Sequence, residues 1–207
     1  MNIETMSLGP LGTNCYVVHG TKEALIFDPG GEADKVKEFL TKHELTPIAI
    51  LLTHAHFDHI GAVDELRKAY QIDVYLHEAE ASWLEDPQKN GSLLFMQQQV
   101  QTEQPDRLLV PKKMTIGEFS IEVIHTPGHS PGSVSFIFHD DKFVISGDVL
   151  FYQGIGRTDL PGGNYAQLEK SVTTSLYTLD DNYTVFPGHG PKTNIGFEKI
   201  NNPFFTL

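Results

Sequence analysis

Four side chains that commonly bind divalent metal ions fall within six residues of this chain. They are His54, His56, Asp58 and His59. Imidazole nitrogens together with a carboxylate suit zinc, iron or manganese. The aliphatic run Ile48 to Leu52 precedes the cluster and predicts a buried strand, and apolar residues from Ile60 onward recur at helical spacing. The cluster is therefore predicted to lie on a loop between a strand and a helix, with Asp58 near the helix cap.

Three further ligand candidates share one local pattern, because each follows a strand-like run and stands next to a glycine. They are His129 in Thr126–His129, Asp148 in Ser146–Asp148 and His189 in Phe186–His189. Glycine permits the sharp turn and the close backbone approach that a convergent site requires. One such turn alone is usually an exposed imidazole, and the first cluster alone is compatible with a solvated histidine-rich loop. Four such positions at the ends of four predicted strands favour a single metal site.

Seven ligands exceed what one tetrahedral or five-coordinate ion takes, so they predict two divalent ions a few Å apart. The first ion is assigned His54, His56 and His129, the second is assigned Asp58, His59 and His189, and Asp148 bridges the two. A water shared by two such ions is hydroxide near neutral pH, so no side-chain base is needed. Asp58 and Asp148 are thus predicted to be catalytic through metal-bound hydroxide. We expect zinc, and iron and manganese also fit these ligands.

The order of these motifs resembles that of a known family. From Thr53–His59 through Thr126–His129, Gly147-Asp148 and Pro187–His189, the sequence is similar to the metallo-β-lactamase-fold hydrolases. Within them it resembles the glyoxalase II-like, or hydroxyacylglutathione hydrolase-like, branch, over roughly residues 8–191. The resemblance implies an α/β fold, the four-layer αβ/βα sandwich of the metallo-β-lactamase fold. It also implies the same seven ligands.

Two departures from that branch limit what the resemblance implies. Glyoxalase II proper has an extra helical domain after its last histidine ligand, which supplies part of the glutathione site, whereas 18 residues follow His189 here. The chain resembles the short form, and glutathione is not carried over as its thiol carrier. Arg157 occupies the position of a substrate-contacting lysine and is interpreted as a contact for a substrate anion. Asp28, at the end of a predicted strand, either orients a ligand imidazole or caps a turn.

The leaving group decides between substrate classes. A thiolate departs without a strong general acid, whereas an amine must be protonated, so thioester hydrolysis fits this site better than amide cleavage. We expect hydrolysis of small acyl thioesters, such as S-lactoyl conjugates. The alternatives are a persulfide dioxygenase with a single iron, which has similar ligand motifs and a similar Gly-Arg-Thr-Asp segment, and a lactonase. A structural metal module is disfavoured because structural sites are closed and mononuclear.

The hydrophobic patterning predicts one domain over residues 1–207, built from two similar halves. The predicted strands are Asn14–His19, Glu23–Phe27, Ile48–Leu52, Ser120–Ile124, Ser133–Phe138, Lys142–Ile145 and Tyr183–Val185. Helices are predicted around Ala33–Leu40 and Tyr165–Leu176, and the residues Gly162, Gly163 and Asn164 are predicted to cap the second helix. The connecting segment, about residues 77–113, is interpreted as an irregular helical linker that covers one edge of the core, or as a pocket wall or dimer contact.

Composition excludes several classes of partner. The formal net charge of −12 removes long-range attraction to phosphate backbones, so no nucleic acid is expected. No apolar run approaches the ~20 residues of a membrane span, and the first ten residues have no signal pattern. Cys15 is the single cysteine, lies in an apolar strand-like run, and is interpreted as a core thiol. We therefore expect a soluble, cytoplasmic enzyme of unknown oligomeric state.

Overall fold

The computed structural model describes residues 1–96 and 99–206. The chain divides into two compact units. The N-terminal unit comprises residues 1–109 with 115–119, and the C-terminal unit comprises residues 110–114 and the chain from Ser120 onward.

The N-terminal unit is built on a six-stranded sheet whose spatial order equals the order of its strands along the chain. The strands are β1 (Asn2–Leu8), β2 (Thr13–His19), β3 (Glu23–Phe27), β4 (Thr46–Leu51), β5 (Asp73–His77) and β6 (Arg107–Leu109). Strands β1 to β3 are antiparallel, and β3 to β6 are parallel. Because parallel neighbours need a crossover, helices join them. These helices are α1 (Ala33–Lys42), α2 (Phe57–Ile60) and α3 (Val63–Tyr70), and α4 (Ser92–Phe95) and a 3₁₀ helix (Glu78–Trp83) precede β6.

Burial of the helix faces against the sheet explains why these elements form. Helix α1 buries Ala33, Val36 and Leu40, which recur on one helical face. They join one apolar cluster with residues of the neighbouring strands, including Ile26 and Ile50. Strands β3 and β4 pair in parallel with Phe27 opposite Leu51. The residues that follow these two strands therefore emerge side by side at the carboxyl edge of the sheet, the usual place for a ligand site in a parallel sheet.

The second six-stranded sheet comprises β7 (Lys112–Ile116), β8 (Phe119–His125), β9 (Val134–Phe138), β10 (Phe143–Gly147), β13 (Thr184–Pro187) and β14 (Thr193–Asn194). Their order across the sheet is β14-β13-β10-β9-β8-β7. A small hairpin of β11 (Leu150–Phe151) and β12 (Gly154–Ile155) follows β10, and helices α5 (Tyr165–Thr174) and α6 (Ile195–Asn201) complete the C-terminal unit. The predicted cap of α5 is confirmed, because the Asn164 side chain accepts a hydrogen bond from the Gln167 backbone N–H.

The predicted strands are all present, and their ends shift by at most two residues. The prediction of an irregular linker over residues 77–113 is wrong in part, because β6 lies there and extends the parallel sheet as its edge strand. With three residues, β6 is too short to show an alternating pattern. Of the glutamine-rich run in that segment, Gln97 and Gln98 lie outside the described residues. Among the helices of the described residues, none combines the length and hydropathy that a membrane span would need.

Candidate metal centre

The first four predicted ligands lie on the loop after β4 and on the first turn of α2. All four side chains are buried. The ring of His54 lies 4.8 Å from the ring of His56 and 4.1 Å from the ring of His59, between centroids. The Nε2 atom of His59 lies 3.5 Å from Oδ2 of Asp58. Burying several polar groups so close together is costly without strong partners, and this is the environment expected of metal ligands.

Asp28 and Thr53 connect the ends of β3 and β4 beneath this loop. The Thr53 backbone N–H and hydroxyl both donate to the Asp28 carboxylate, at 2.8 and 2.7 Å. The carboxylate oxygen that accepts the hydroxyl hydrogen also lies 3.1 Å from Nδ1 of His59. Asp28 is buried and has a φ of 47°, a left-handed conformation that aspartate tolerates better than most residues. The position of Asp28 fits the hypothesis that this residue orients a ligand imidazole.

These contacts assign the ring nitrogen that carries hydrogen in two of the ligands. Thr53 gives its one hydroxyl hydrogen to Asp28, so its oxygen accepts a hydrogen bond from Nδ1–H of His54 at 3.0 Å. In His59, Nδ1 lies 3.1 Å from Oδ2 of Asp28, so a hydrogen on this nitrogen would lie beside a carboxylate. Both rings thus present an unprotonated Nε2, the form that binds a metal ion.

Asp58 lies near the helix cap, as predicted, in the first turn of α2. It is the second residue of α2, and the N-cap position belongs to His56, which makes no side-chain cap bond. The Asp58 Oδ2 atom instead accepts a hydrogen bond from the Thr13 hydroxyl at 2.7 Å. The apolar pattern predicted one helix here, but α2 ends at Ile60 and α3 begins at Val63. Thr13 lies 45 residues away in sequence, so no local pattern could indicate this contact.

In the C-terminal unit, the three remaining ligand candidates follow β8, β10 and β13. The Nε2 atoms of His129 and His189 lie 3.6 and 3.4 Å from Oδ2 of Asp148. His129 and Asp148 are buried, and His189 is partly exposed. The carboxylate of Asp148 thus lies between two imidazoles, as a shared ligand would.

A backbone carbonyl fixes the ring of His129. Its Nδ1 donates to the carbonyl oxygen of Arg157 at 2.7 Å, which leaves Nε2 toward Asp148. The segment that supplies this carbonyl passes very close to the Asp148 backbone. A Cβ atom at Gly156 would overlap the carbonyl oxygen of Asp148, so only glycine fits there.

The guanidinium of Arg157 makes a two-pronged ion pair with Asp159. Its nitrogens donate to the two carboxylate oxygens, each at 2.7 Å. This bonding lowers the pKa of Asp159 to about 2. Both side chains are exposed. The predicted contact between Arg157 and a substrate anion stays a prediction, and an anion there would compete with Asp159.

The donor atoms have the spacing that metal coordination requires. Ligand atoms at 2.0–2.1 Å around a tetrahedral ion are about 3.3 Å apart. The separations of 3.4 to 3.6 Å between imidazole nitrogens and carboxylate oxygens are close to that value. Each of the seven candidates belongs to a group of three or more side chains suited to holding a metal ion. The residues therefore fit divalent metal.

Other reactive side chains have structural surroundings. Cys15 is fully buried in β2, and burial raises the pKa of its thiol far above the usual range, so it is inert as a nucleophile. His77 caps the 3₁₀ helix by accepting a hydrogen bond from the Ala79 N–H. Thr13 and Glu80, by contrast, contact the ligand region, and sequence reasoning missed both.

Comparison with known proteins identifies the family. The sequence model of the metallo-β-lactamase superfamily matches residues 8–189 of this chain. A probable metallo-hydrolase of Bacillus subtilis, YqgX, is 48% identical over 99% of this chain and 97% of its own length. The hydroxyacylglutathione hydrolase GloC of Haemophilus influenzae is 36% identical over 99% of this chain and 98% of its own.

Solved structures show the same relationship. The B3 metallo-β-lactamase BLEG-1 has a TM-score of 0.97 and 50% identity, covering 100% of both chains. TTHA1623, solved in a di-iron-bound form, has a TM-score of 0.89 and 38% identity, covering 98% of this chain and 100% of its own. ETHE1 from Myxococcus xanthus has a TM-score of 0.80 and 30% identity, covering 98% and 84%. The predicted α/β fold class is confirmed. This chain belongs to the metallo-β-lactamase superfamily and is a metal-dependent hydrolase of that superfamily.

Proposed function

We propose that this protein hydrolyses small acyl thioesters with the help of two divalent metal ions, and that these ions are zinc. The proposed ligands of the first ion are His54, His56 and His129, those of the second are Asp58, His59 and His189, and Asp148 binds both. The observation that carries the proposal is the coordination spacing of buried imidazole and carboxylate donors in each unit. The 36% identity to a hydroxyacylglutathione hydrolase supports the substrate class.

The chain's own residues prepare the site. When bound, the ions supply a water that ionises near neutral pH and an electrophile for a carbonyl oxygen. Asp28 and Thr53 hold His54 and His59 in ring orientations that direct Nε2 away from these two residues. The Arg157 carbonyl does the same for His129, and the Thr13 hydroxyl fixes the Asp58 carboxylate. Preset donors of this kind lower the cost of assembling the site.

The leaving group and the carrier set the substrate class. A thiolate is stable enough to leave unprotonated, so the chain needs no dedicated acid for a thioester. An S-lactoyl thioester of a small thiol is the proposed substrate, and Arg157 is the proposed contact for an anionic carrier. We also propose a cytoplasmic location, because a single cysteine cannot form an internal disulfide, which fits a reducing compartment.

Elemental analysis and a substrate panel test the proposal together. The protein is purified without added metal, its metal content is measured, and S-lactoylglutathione, other S-lactoyl thiols and a lactone are assayed. We expect about two divalent ions per chain, release of free thiol, loss of turnover after chelation, and recovery with added zinc. A protein with two ions per chain that turns over no thioester would refute the proposed substrate class.

Two other activities belong in the same panel. The 50% identity to the B3 metallo-β-lactamase BLEG-1 favours a β-lactam as the second candidate substrate, and a chromogenic cephalosporin tests it. Persulfide oxidation, the alternative from the ligand motifs, requires one iron per chain and oxygen uptake. The di-iron-bound form of TTHA1623 makes iron a metal to measure as well.

A further inference from the structure

Three consecutive residues of the ligand loop contact the segment that follows β5. The Ala55 backbone N–H donates to Oε2 of Glu80 at 2.6 Å. The ring of His56 lies 5.8 Å from the ring of Trp83, between centroids. The Phe57 backbone N–H donates to the carbonyl oxygen of Asn90 at 3.0 Å. The contacts run in parallel order along both segments, so residues 80–90 form a continuous support for residues 55–57.

Glu80 is the acidic member of this support, and it is fully buried at 0% exposure. A buried carboxylate costs several kcal/mol unless hydrogen bonds compensate for the lost water. A backbone N–H that donates to a carboxylate makes a shorter and stronger bond than it makes to a neutral acceptor. The recipient of this bond is Ala55, the single residue between His54 and His56. A rotation of the peptide group at Ala55 would displace both imidazoles.

We propose that Glu80 is a positioning residue, which fixes the backbone between His54 and His56 so that both imidazoles reach the same metal ion. The inference rests on the proposed metal centre. Glu80 acts through the Ala55 N–H. The segment of residues 77–113, left open by the sequence, thus has one defined role at its start: it supports the ligand loop. The other end of the ligand loop is held by Asp28, whose carboxylate accepts a hydrogen bond from the Thr53 N–H.

Substitutions at Glu80 test this role, and Glu78 provides the matched control. Glu78 lies two residues away on the same 3₁₀ helix and is exposed. The variants are E80Q, E80A, E78Q and E78A in the full chain. The zinc dissociation constant is measured by competition with a chromogenic chelator, and the visible spectrum is recorded after cobalt(II) replaces zinc.

We expect E80A to raise the zinc dissociation constant about 10- to 100-fold, the usual effect of losing a partner behind a ligand. E80Q retains an acceptor oxygen without the charge, so a rise of roughly 3- to 10-fold is expected. The cobalt spectrum should change in E80A and be largely restored in E80Q. Both Glu78 variants should match the wild type. If E80A does not fold, E80Q carries the test.

The outcomes separate this inference from the proposed function. An E80A protein with lowered thermal stability but the zinc affinity and cobalt spectrum of the wild type would show a purely structural role and overturn the inference. If E80A does not fold, an E80Q protein with the zinc affinity of the wild type would overturn it. A wild-type chain that binds zinc, together with an unaltered E80Q, leaves the proposed function intact. A wild-type chain that binds neither zinc nor cobalt(II) would overturn both.

Discussion

The Oδ2 atom of Asp28 lies 3.1 Å from Nδ1 of His59. The same oxygen accepts the hydroxyl hydrogen of Thr53. This buried carboxylate thus accepts two hydrogen bonds from Thr53, the second from the backbone N–H to its other oxygen, and lies beside the His59 ring. Through these contacts it orients His59 directly and His54 by way of Thr53. The negative charge also makes both imidazoles better ligands for a cation.

Replacing Asp28 by Asn should weaken metal binding about 10- to 100-fold. An amide has one acceptor oxygen, so one of the two Thr53 donors would face the amide NH₂ group. The backbone should tolerate the change, because asparagine accepts the positive φ as aspartate does. The zinc dissociation constant of the purified variant measures the effect.

Asp34 is the control for this substitution, because it is exposed in the first turn of α1. D34N should bind zinc as the wild type does. Equal zinc affinities of D28N and D34N would show that Asp28 only stabilises the turn after β3.

Gly156 and Gly154 form a matched pair for the His129 contact. A Cβ atom at Gly156 would overlap the Asp148 carbonyl oxygen, whereas the nearest atom to a Cβ at Gly154 is Cβ of Phe151 at 3.5 Å, an ordinary contact. Gly156→Ala should therefore displace the Arg157 carbonyl that orients His129 and should lower metal content and turnover at least tenfold. Gly154→Ala should leave both nearly unchanged.

Elemental analysis and thermal melting of the two variants check this prediction. A Gly156→Ala protein with full metal content would mean that the segment shifts without moving His129. A Gly154→Ala protein that loses as much metal would mean that the whole hairpin, rather than one close approach, is sensitive.

The parts of this protein that were predictable from sequence are those with a local pattern. The ligand types, the glycines beside them and the preceding apolar strands are adjacent in sequence, so they predicted the loops on which the candidate ligands lie. The residues that orient the ligands have no such pattern. Thr13 is 45 residues from Asp58, and Glu80 is 25 residues from Ala55. Only the folded sheet brings them together, so sequence spacing carries no signal for them.

Asp148→Ala should abolish retention of both ions, because the proposed bridge donates to each of them. We expect metal content to fall from about two ions per chain to well below one, with complete loss of turnover. Asp140→Ala is the control, since Asp140 is exposed in the turn after β9. Retention of one tightly bound ion in the Asp148 variant would argue against a bridging carboxylate and for separate metal sites.

The ion pair of Arg157 with Asp159 gives a prediction about pH. The pKa of Asp159 is lowered from 3.8 to about 2, chiefly by the hydrogen bonds from Arg157. A lowered pKa means that the ionised form is favoured by the fold, so the pair is complete above about pH 4. It is lost as the pH falls through about 2. Carboxyl carbon NMR of the wild type should give a midpoint near 2, and Arg157→Gln should return it toward 3.8.

The same ion pair affects how strongly Arg157 would bind a substrate anion. If Arg157 binds an anionic thiol carrier, Arg157→Gln should raise KM several-fold for that substrate with little change in kcat, since its backbone carbonyl still orients His129. Asp159→Asn should lower KM for the same substrate, because the anion no longer competes with a carboxylate for the guanidinium. An uncharged thiol carrier is the control and should respond to neither substitution. Equal effects on charged and uncharged carriers would instead assign the pair to holding the loop between Gly156 and Asp159 in place.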